Sequence, residues 1–236
     1  NARGFDKDEL KKSDFNLKEI NVSVWNGLMF INFDKRCNSL ESIYEKLEKR
    51  IDKRNFSSYQ FYKRDSYNIS CNWKIYMDNY LEGLHIPIVH PELNKTINYK
   101  SYKTETHDQF SLQWCSIDPQ LNPYKNDSSE DLIAYYVTIF PNVILNIAPG
   151  RLQTNIVEPI DEKNCSVHFD YYFEQIDEKQ IQKDLDFSDI IQREDIEICE
   201  SVQASYEAKG FKNGIISKKY ESGILHFHSR LKEILL

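Results

Sequence analysis

No run of apolar residues in this 236-residue chain approaches the roughly 20 needed to span a membrane, so no transmembrane helix is expected. Positive charge is also in deficit. The 30 Lys and Arg against 37 Asp and Glu leave a formal net charge of −7, which argues against general nucleic-acid binding. Basic pairs such as Lys49-Arg50 and Lys53-Arg54 then read as solvated helix faces. Cysteine is sparse: Cys37, Cys71, Cys115, Cys165 and Cys199 are dispersed, and none has the spacing of an iron–sulfur or zinc site. Without a disulfide framework they favour a reducing compartment, read here as the cytoplasm. His-Glu-x-x-His, the helical signature of zinc proteases, does not occur. Nor does any internal repeat or low-complexity segment. What is present is 40% hydrophobic and 28% charged residues, the balance of a soluble globular protein. A chain of this length has one substantial core, burying roughly 70–75% of the surface its unfolded form exposes.

Two of the six histidines, His85 and His90, are five residues apart with Pro87 between them and carboxylates just upstream. On an unbroken helix, residues five apart point about 140° from each other, and both rings could not reach one ion. Pro87 disfavours helical geometry at Ile86, so the helix is expected to end there and let the chain bring His90 back toward His85. On that helix Asp78, Leu81, Glu82 and His85 share a face, and Glu82 is placed to fix the His85 tautomer.

A third ligand is sought on a helix expected from Ser188 to Lys209, with Ser188 as N-cap and Gly210 as its stop. Asp195 lies in the middle of a stripe with Ile191, Ile198, Cys199, Val202 and Tyr206, whereas Glu194, Glu197 and Glu200 read as solvated. A carboxylate carried into a core is costly unless it is paired, hydrogen-bonded or bound to a metal. Metal ligation is the preferred reading; an arginine partner is the alternative for Asp195, and Asp78 is the substitute ligand. Two imidazoles and one carboxylate suit a non-haem Fe(II) site, although zinc accepts the same donors. His107 and His168 read as structural or exposed, and His226 and His228 as structural residues near a helix start. The 15 Tyr and 13 Phe suit a core, and aromatic faces also attract quaternary ammonium groups.

Residues 20–34 read as two strands around Asn26-Gly27, a hairpin signal. Ser39–Lys53 reads as an amphipathic helix and Ser57–Ile69 as a strand. Further strands are expected at Phe110–Ile117, Ala134–Phe140, Asn142–Ala148, Arg151–Ile160 and Ser166–Gln175, with turns at Pro141-Asn142 and Pro149-Gly150. Asp118–Asp131 reads as a loop. Two terminal helices complete an α+β layer structure.

Asn72-Trp73-Lys74, followed in order by Asn79, Glu82, His85 and His90, resembles the signature of the catalytic domain of Rieske-type non-haem iron (ring-hydroxylating) oxygenase α subunits. That signature is Asn-Trp-Lys, then Asn, an acid, and His-x-x-x-x-His. The stretch Glu194–Gln203, followed by Gly223–His228, is similar to the branch containing choline, glycine betaine and carnitine oxygenases. The resemblance covers nearly all of the chain. It implies a helix-grip (START-like) fold, in which an antiparallel sheet with flanking helices curves around the pocket. His85, His90 and Asp195 would hold Fe(II), Glu82 would bridge to the Rieske cluster of a neighbouring subunit, and Asn79 would line the pocket. The implied reaction is O2-dependent hydroxylation or oxidative demethylation of a small organic substrate, a quaternary ammonium or aromatic compound. A homotrimer and a reductase or ferredoxin electron donor are implied as well.

The family's cluster domain carries Cys-x-His and Cys-x-x-His, and neither pattern occurs here. The opening Asn1–Asp6 resembles the stretch after the second cluster loop, and Val24–Asp34 the strand pair that closes that domain. Residues 1–38 therefore read as the C-terminal remnant of a Rieske domain and residues 39–236 as the mononuclear iron catalytic domain. The [2Fe-2S] cluster is expected only in a longer protein. Two other readings compete: a non-enzymatic helix-grip module that binds a hydrophobic or cationic small molecule, and a zinc hydrolase, for which no glutamate is an obvious general base.

Overall fold

Asn26 and Gly27 both take positive φ, 51° and 82°, the backbone that a tight two-residue hairpin demands. In this computed structural model, which describes residues 4, 15–51, 54–118, 132–209 and 214–235, they join β1 (Asn21–Trp25) to β2 (Leu28–Asn32), with Trp25 opposite Leu28. Most of the opening Asn1–Asp6, Lys53, most of the Asp118–Asp131 loop and the expected helix stop Gly210 lie outside the described residues. The chain divides into two compact units, residues 1–57 and 58–236.

In the first unit α1 (Leu40–Arg50) follows the hairpin. Trp25 stacks on Tyr44 and meets Phe56 edge-on, both at 6.3 Å, and its Nε1 donates to Glu48 Oε1 at 2.8 Å. The opposite face of the hairpin carries Val22, Val24, Met29 and Ile31, which are 52–72% exposed.

The second unit is a seven-stranded antiparallel sheet, formed by β3 (Gln60–Ile69), β4 (Lys103–Thr106), β5 (Phe110–Ser116), β6 (Ile133–Ile139), β7 (Val143–Ala148), β8 (Arg151–Pro159) and β9 (Cys165–Phe173). Its spatial order is β3-β9-β8-β7-β6-β5-β4, so β4 to β9 form a meander and β3 closes onto the last strand. The long α5 (Glu178–Glu207) and α6 (Ser222–Leu235) complete the expected α+β architecture. Between β3 and β4 lie α2 (Trp73–Tyr80), α3 (Ile86–Val89) and α4 (Pro91–Thr96). Buried side chains of the sheet, including Val157, Val167 and Tyr171, share one core with Met77 and Leu81, with Ile181 and Leu185 of α5, and with Phe227 of α6.

Four sequence expectations shift. The helix before His85 ends at Tyr80, not Ile86, and Gly83 follows at a point where a Cβ would run into the Tyr102 ring. Pro87 opens α3 instead of closing α2, because a first helical turn tolerates its fixed φ and missing N–H. α5 begins ten residues earlier than Ser188: Asp177 is its N-cap, with Oδ1 accepting from the backbone N–H groups of Lys179 and Gln180. Val202 and Tyr206 on the same helix are exposed, so its inward stripe stops at Cys199. β4, α3 and α4 were not anticipated.

Candidate metal centre

Asn72 sets the start of α2, its side chain accepting from Lys74 N–H, while its own backbone N–H donates to Gln203 of α5 at 3.0 Å. That tie holds α2 against the long helix. From the last turns of α2, Tyr76 donates its hydroxyl to Gln192 Oε1 at 2.8 Å, and Asn79 Nδ2 donates to Asp195 Oδ1 at 2.6 Å. The chain then turns through Gly83, and α3 carries it from His85 to His90 with the His90 N–H bonded to Ile86 O at 3.0 Å. His90 leaves helical geometry (φ −115°, ψ 74°) where α4 begins, and its ring comes within 5.0 Å of His85.

Each imidazole has one nitrogen held by a carboxylate. His85 Nδ1 lies 2.5 Å from Glu82 Oε1, and Glu82 Oε2 accepts the Leu84 N–H. His90 Nδ1 lies 2.7 Å from Glu194 Oε2. The other nitrogens face Asp195, with Oδ1 3.0 Å from His90 Nε2 and 3.8 Å from His85 Nε2. One ligand atom from each of His85, His90 and Asp195 falls within 4.8 Å of the other two. An Nδ1–H donated to a carboxylate leaves the Nε2 lone pair as donor to a metal, so the donor set fits a divalent cation among these three residues. Without one, His90 has carboxylates at both nitrogens: burial depresses its imidazolium, but Asp195 and Glu194 together outweigh that and raise its pKa.

These residues line a cavity of about 770 Å³ including its open mouth, bounded by α2, α3, α5 and the inner faces of the sheet. Its wall includes the aromatic rings of Tyr76, Tyr80, Tyr102, Tyr136, Phe169 and Phe187. Burial, with Asp195 nearby, pushes the Tyr76 and Tyr80 hydroxyls well above the ordinary tyrosine range, so both stay neutral. Tyr80 donates to Asn146 at 2.7 Å, and Tyr102, likewise raised by burial, donates to Gln113 at 3.0 Å. On β8, Arg151 makes a buried ion pair with Asp184 of α5, Nε to Oδ2 at 2.7 Å. Burial raises the Asp184 carboxyl to about 6 despite that guanidinium.

The structure thus brings together Asn79, Glu82, His85, His90 and Asp195. It places Asp78 elsewhere, paired with His228 at 2.9 Å, so Asp78 is no substitute ligand. No arginine pairs with Asp195 among the described residues. His107 and His168 bond to Glu105 and Glu158, outside the cavity. Two acids read as solvated are not. Glu194 orients His90, and Glu200 accepts the Ser70 N–H at 2.8 Å; Glu197 alone is exposed. The signal for Glu194 was its position beside Asp195, which helical geometry alone had turned outward.

Residues 56–236 match the family described as ring hydroxylating alpha subunit (catalytic domain). The chloroplastic choline monooxygenase of Arabidopsis thaliana is 34% identical over 174 residues, 71% of this chain and 40% of that protein. The carnitine monooxygenase oxygenase subunit of Escherichia coli K12 is 27% identical over 99% of this chain and 65% of its own length. Among solved structures, a quaternary ammonium Rieske monooxygenase aligns with a TM-score of 0.79 at 21% identity, over 96% of this chain and 65% of that one. That likeness shows the shared fold. The chain spans about half the length of the choline monooxygenases it matches, 40–54%. With the family match extending over both helices and every strand that builds the site, the chain belongs to the ring-hydroxylating α-subunit catalytic-domain family.

Proposed function

We propose that this chain is the mononuclear iron catalytic domain of a Rieske-type oxygenase that oxidises a small quaternary ammonium compound with O2, by hydroxylation or oxidative demethylation. The observation that carries it is the convergence of His85, His90 and Asp195, each imidazole held from behind by its own carboxylate. Fe(II) held there would supply activation of O2 by electrons delivered from outside the site. Glu82 and Glu194 fix the two imidazoles, and Asn79 holds the Asp195 carboxylate in place. The substrate class rests on the choline and carnitine monooxygenases and on the aromatic wall of the cavity, whose ring faces suit a cationic methylammonium group.

Residues 1–38 are the end of a Rieske domain, and residues 39–236 form the iron domain. The exposed apolar face of the hairpin supports the first assignment, being a surface suited to packing against further strands. A [2Fe-2S] cluster in that domain receives electrons from a reductase or ferredoxin. In a homotrimer Glu82 joins the cluster of one subunit to the iron site of the next; inter-subunit electron transfer is described for the quaternary ammonium monooxygenase of similar fold. No described helix is long and apolar enough to cross a membrane. The five unpaired cysteines suit a reducing compartment, and the cytoplasm is the location proposed.

Anaerobic Fe(II) titration of the purified chain tests the centre. Wild type is expected to take up close to one equivalent, and His85→Ala and Asp195→Ala to lose it while keeping a wild-type circular dichroism spectrum. A folded wild type that binds no iron, or variants that bind it normally, would sink the proposal and leave a metal-free binding module.

A further inference from the structure

The cavity has a polar lobe that metal ligation does not use. Along the inward face of α5, Ser188, Gln192 and Asp195 line it at successive spacings of four and three. At 1.5 Å per residue, Gln192 sits about 4.5 Å, and Ser188 about 10 Å, along the helix axis from Asp195. Gln153 and Asn155 on β8 line the same cavity, linked to each other by a 2.7 Å hydrogen bond. Such residues seldom fill a core by chance, since each buried polar group needs a partner.

Among Ser188, Gln192, Asp195, Gln153 and Asn155, Gln192 has a buried side-chain atom with no hydrogen-bond partner. It is 2% exposed and lines the cavity. Its Oε1 accepts from Tyr76, a neutral hydroxyl that needs an acceptor, and this fixes which way the amide faces. Nε2 is left without a hydrogen-bond partner in the structure. A buried donor in that state is destabilising until an acceptor reaches it.

We propose that Gln192 is a specificity-determining residue whose Nε2 donates to an oxygen of the substrate, one helical turn from the metal site. The substrate is then a quaternary ammonium compound that also carries a hydroxyl or carboxylate, with its methylammonium end on the aromatic wall. Tyr76 acts as a positioning residue that holds the amide in the donating orientation. This rests on the quaternary ammonium reading above and narrows it. A pocket donor discriminates strongly, because an analogue without the oxygen leaves it buried and unpaired.

The test is calorimetric binding to the purified, Fe(II)-loaded chain under anaerobic conditions, so that turnover plays no part. Three probes separate the chemistry: choline with a hydroxyl, γ-butyrobetaine with a carboxylate, and ethyltrimethylammonium with neither. Wild type is expected to prefer at least one oxygen-bearing probe by about 10-fold or more over ethyltrimethylammonium. The preferred probe identifies the group. Gln192→Leu should abolish that preference while ethyltrimethylammonium affinity stays within about twofold, which also shows that the variant is folded. Tyr76→Phe should reduce it partly, and Gln192→Asn is the alternative variant should Leu prevent folding. Equal loss of all three probes in Gln192→Leu, or none, overturns the assignment alone. Failure of wild type to bind any of them overturns both it and the substrate class.

Discussion

Glu194 illustrates how a site depends on residues that touch no ligand. Its Oε2 is 2.7 Å from His90 Nδ1, as Glu82 Oε1 is 2.5 Å from His85 Nδ1, so each imidazole is held in one tautomer and one orientation. Removing such a partner commonly lowers metal affinity by about 10–100-fold. Glu194→Ala is therefore expected to weaken Fe(II) binding by about that factor in a competition titration against a chelator. Glu194→Gln, whose amide oxygen still accepts from Nδ1, should recover much of it. An unchanged affinity in Glu194→Ala would show the contact to be incidental. At this scale the sequence exposed the histidines, Glu82 and Asp195 through spacing and through a recognisable motif. It hid Glu194, because a neighbour in sequence on a helix points about 100° away, and only the approach of His90 from another element brings the two together.

The long helix shows why α5 was legible only in part. Periodicity is read from apolar residues, yet the inward face here carries Asp184, paired with Arg151, and then Ser188, Gln192 and Asp195, which line a cavity. Its true start at Asp177 was passed over for a cap-like Ser188 in the middle of the helix, whose Oγ instead lies 3.1 Å from Tyr171 Oη. The strands were easier: alternation and turn residues placed β1 to β3 and β5 to β9 nearly where they lie, while the four-residue β4 carried too short a pattern to read. Asp184 also permits a prediction about pH. Burial raises its carboxyl from an ordinary value near 4 to about 6, so between those values the folded chain holds a proton that the unfolded chain has lost. Its contribution is complete below about pH 4 and declines as pH rises through about 6, by roughly 3 kcal/mol. Denaturant unfolding of wild type and Asp184→Asn across that range should show the difference between them changing in this direction. Arg151→Met should be far more destabilising at pH 7, since it strands a buried carboxylate without its 2.7 Å partner. A flat difference would mean that the Arg151 pairing fully offsets the cost of burial.

For the whole molecule, the question is what the 1–57 unit is for. Its hairpin uses one face, through Trp25, to pack on Tyr44 and Phe56, and turns the other, with Val22, Val24, Met29 and Ile31, to solvent. With period two, Val22, Val24, Met29 and Ile31 make one face wholly apolar, while the other carries Trp25, Leu28 and Phe30 among Asn21, Ser23 and Asn32. Isolated exposed apolar residues need no explanation, but four adjacent across a two-stranded ladder form a patch. This is the expectation if residues 1–38 belong to a larger cluster-bearing domain. Val24→Lys with Ile31→Lys separates that case from a face which the chain itself covers. Both residues are more than half exposed, so the double variant should melt within a degree or two of wild type, since surface changes usually stay within about 0.5 kcal/mol. It should also bind the hydrophobic dye ANS markedly less, and Fe(II) as wild type does. A fall of several degrees in Tm would mean that these side chains are packed in solution, and would remove the support this face gives to a Rieske-domain remnant.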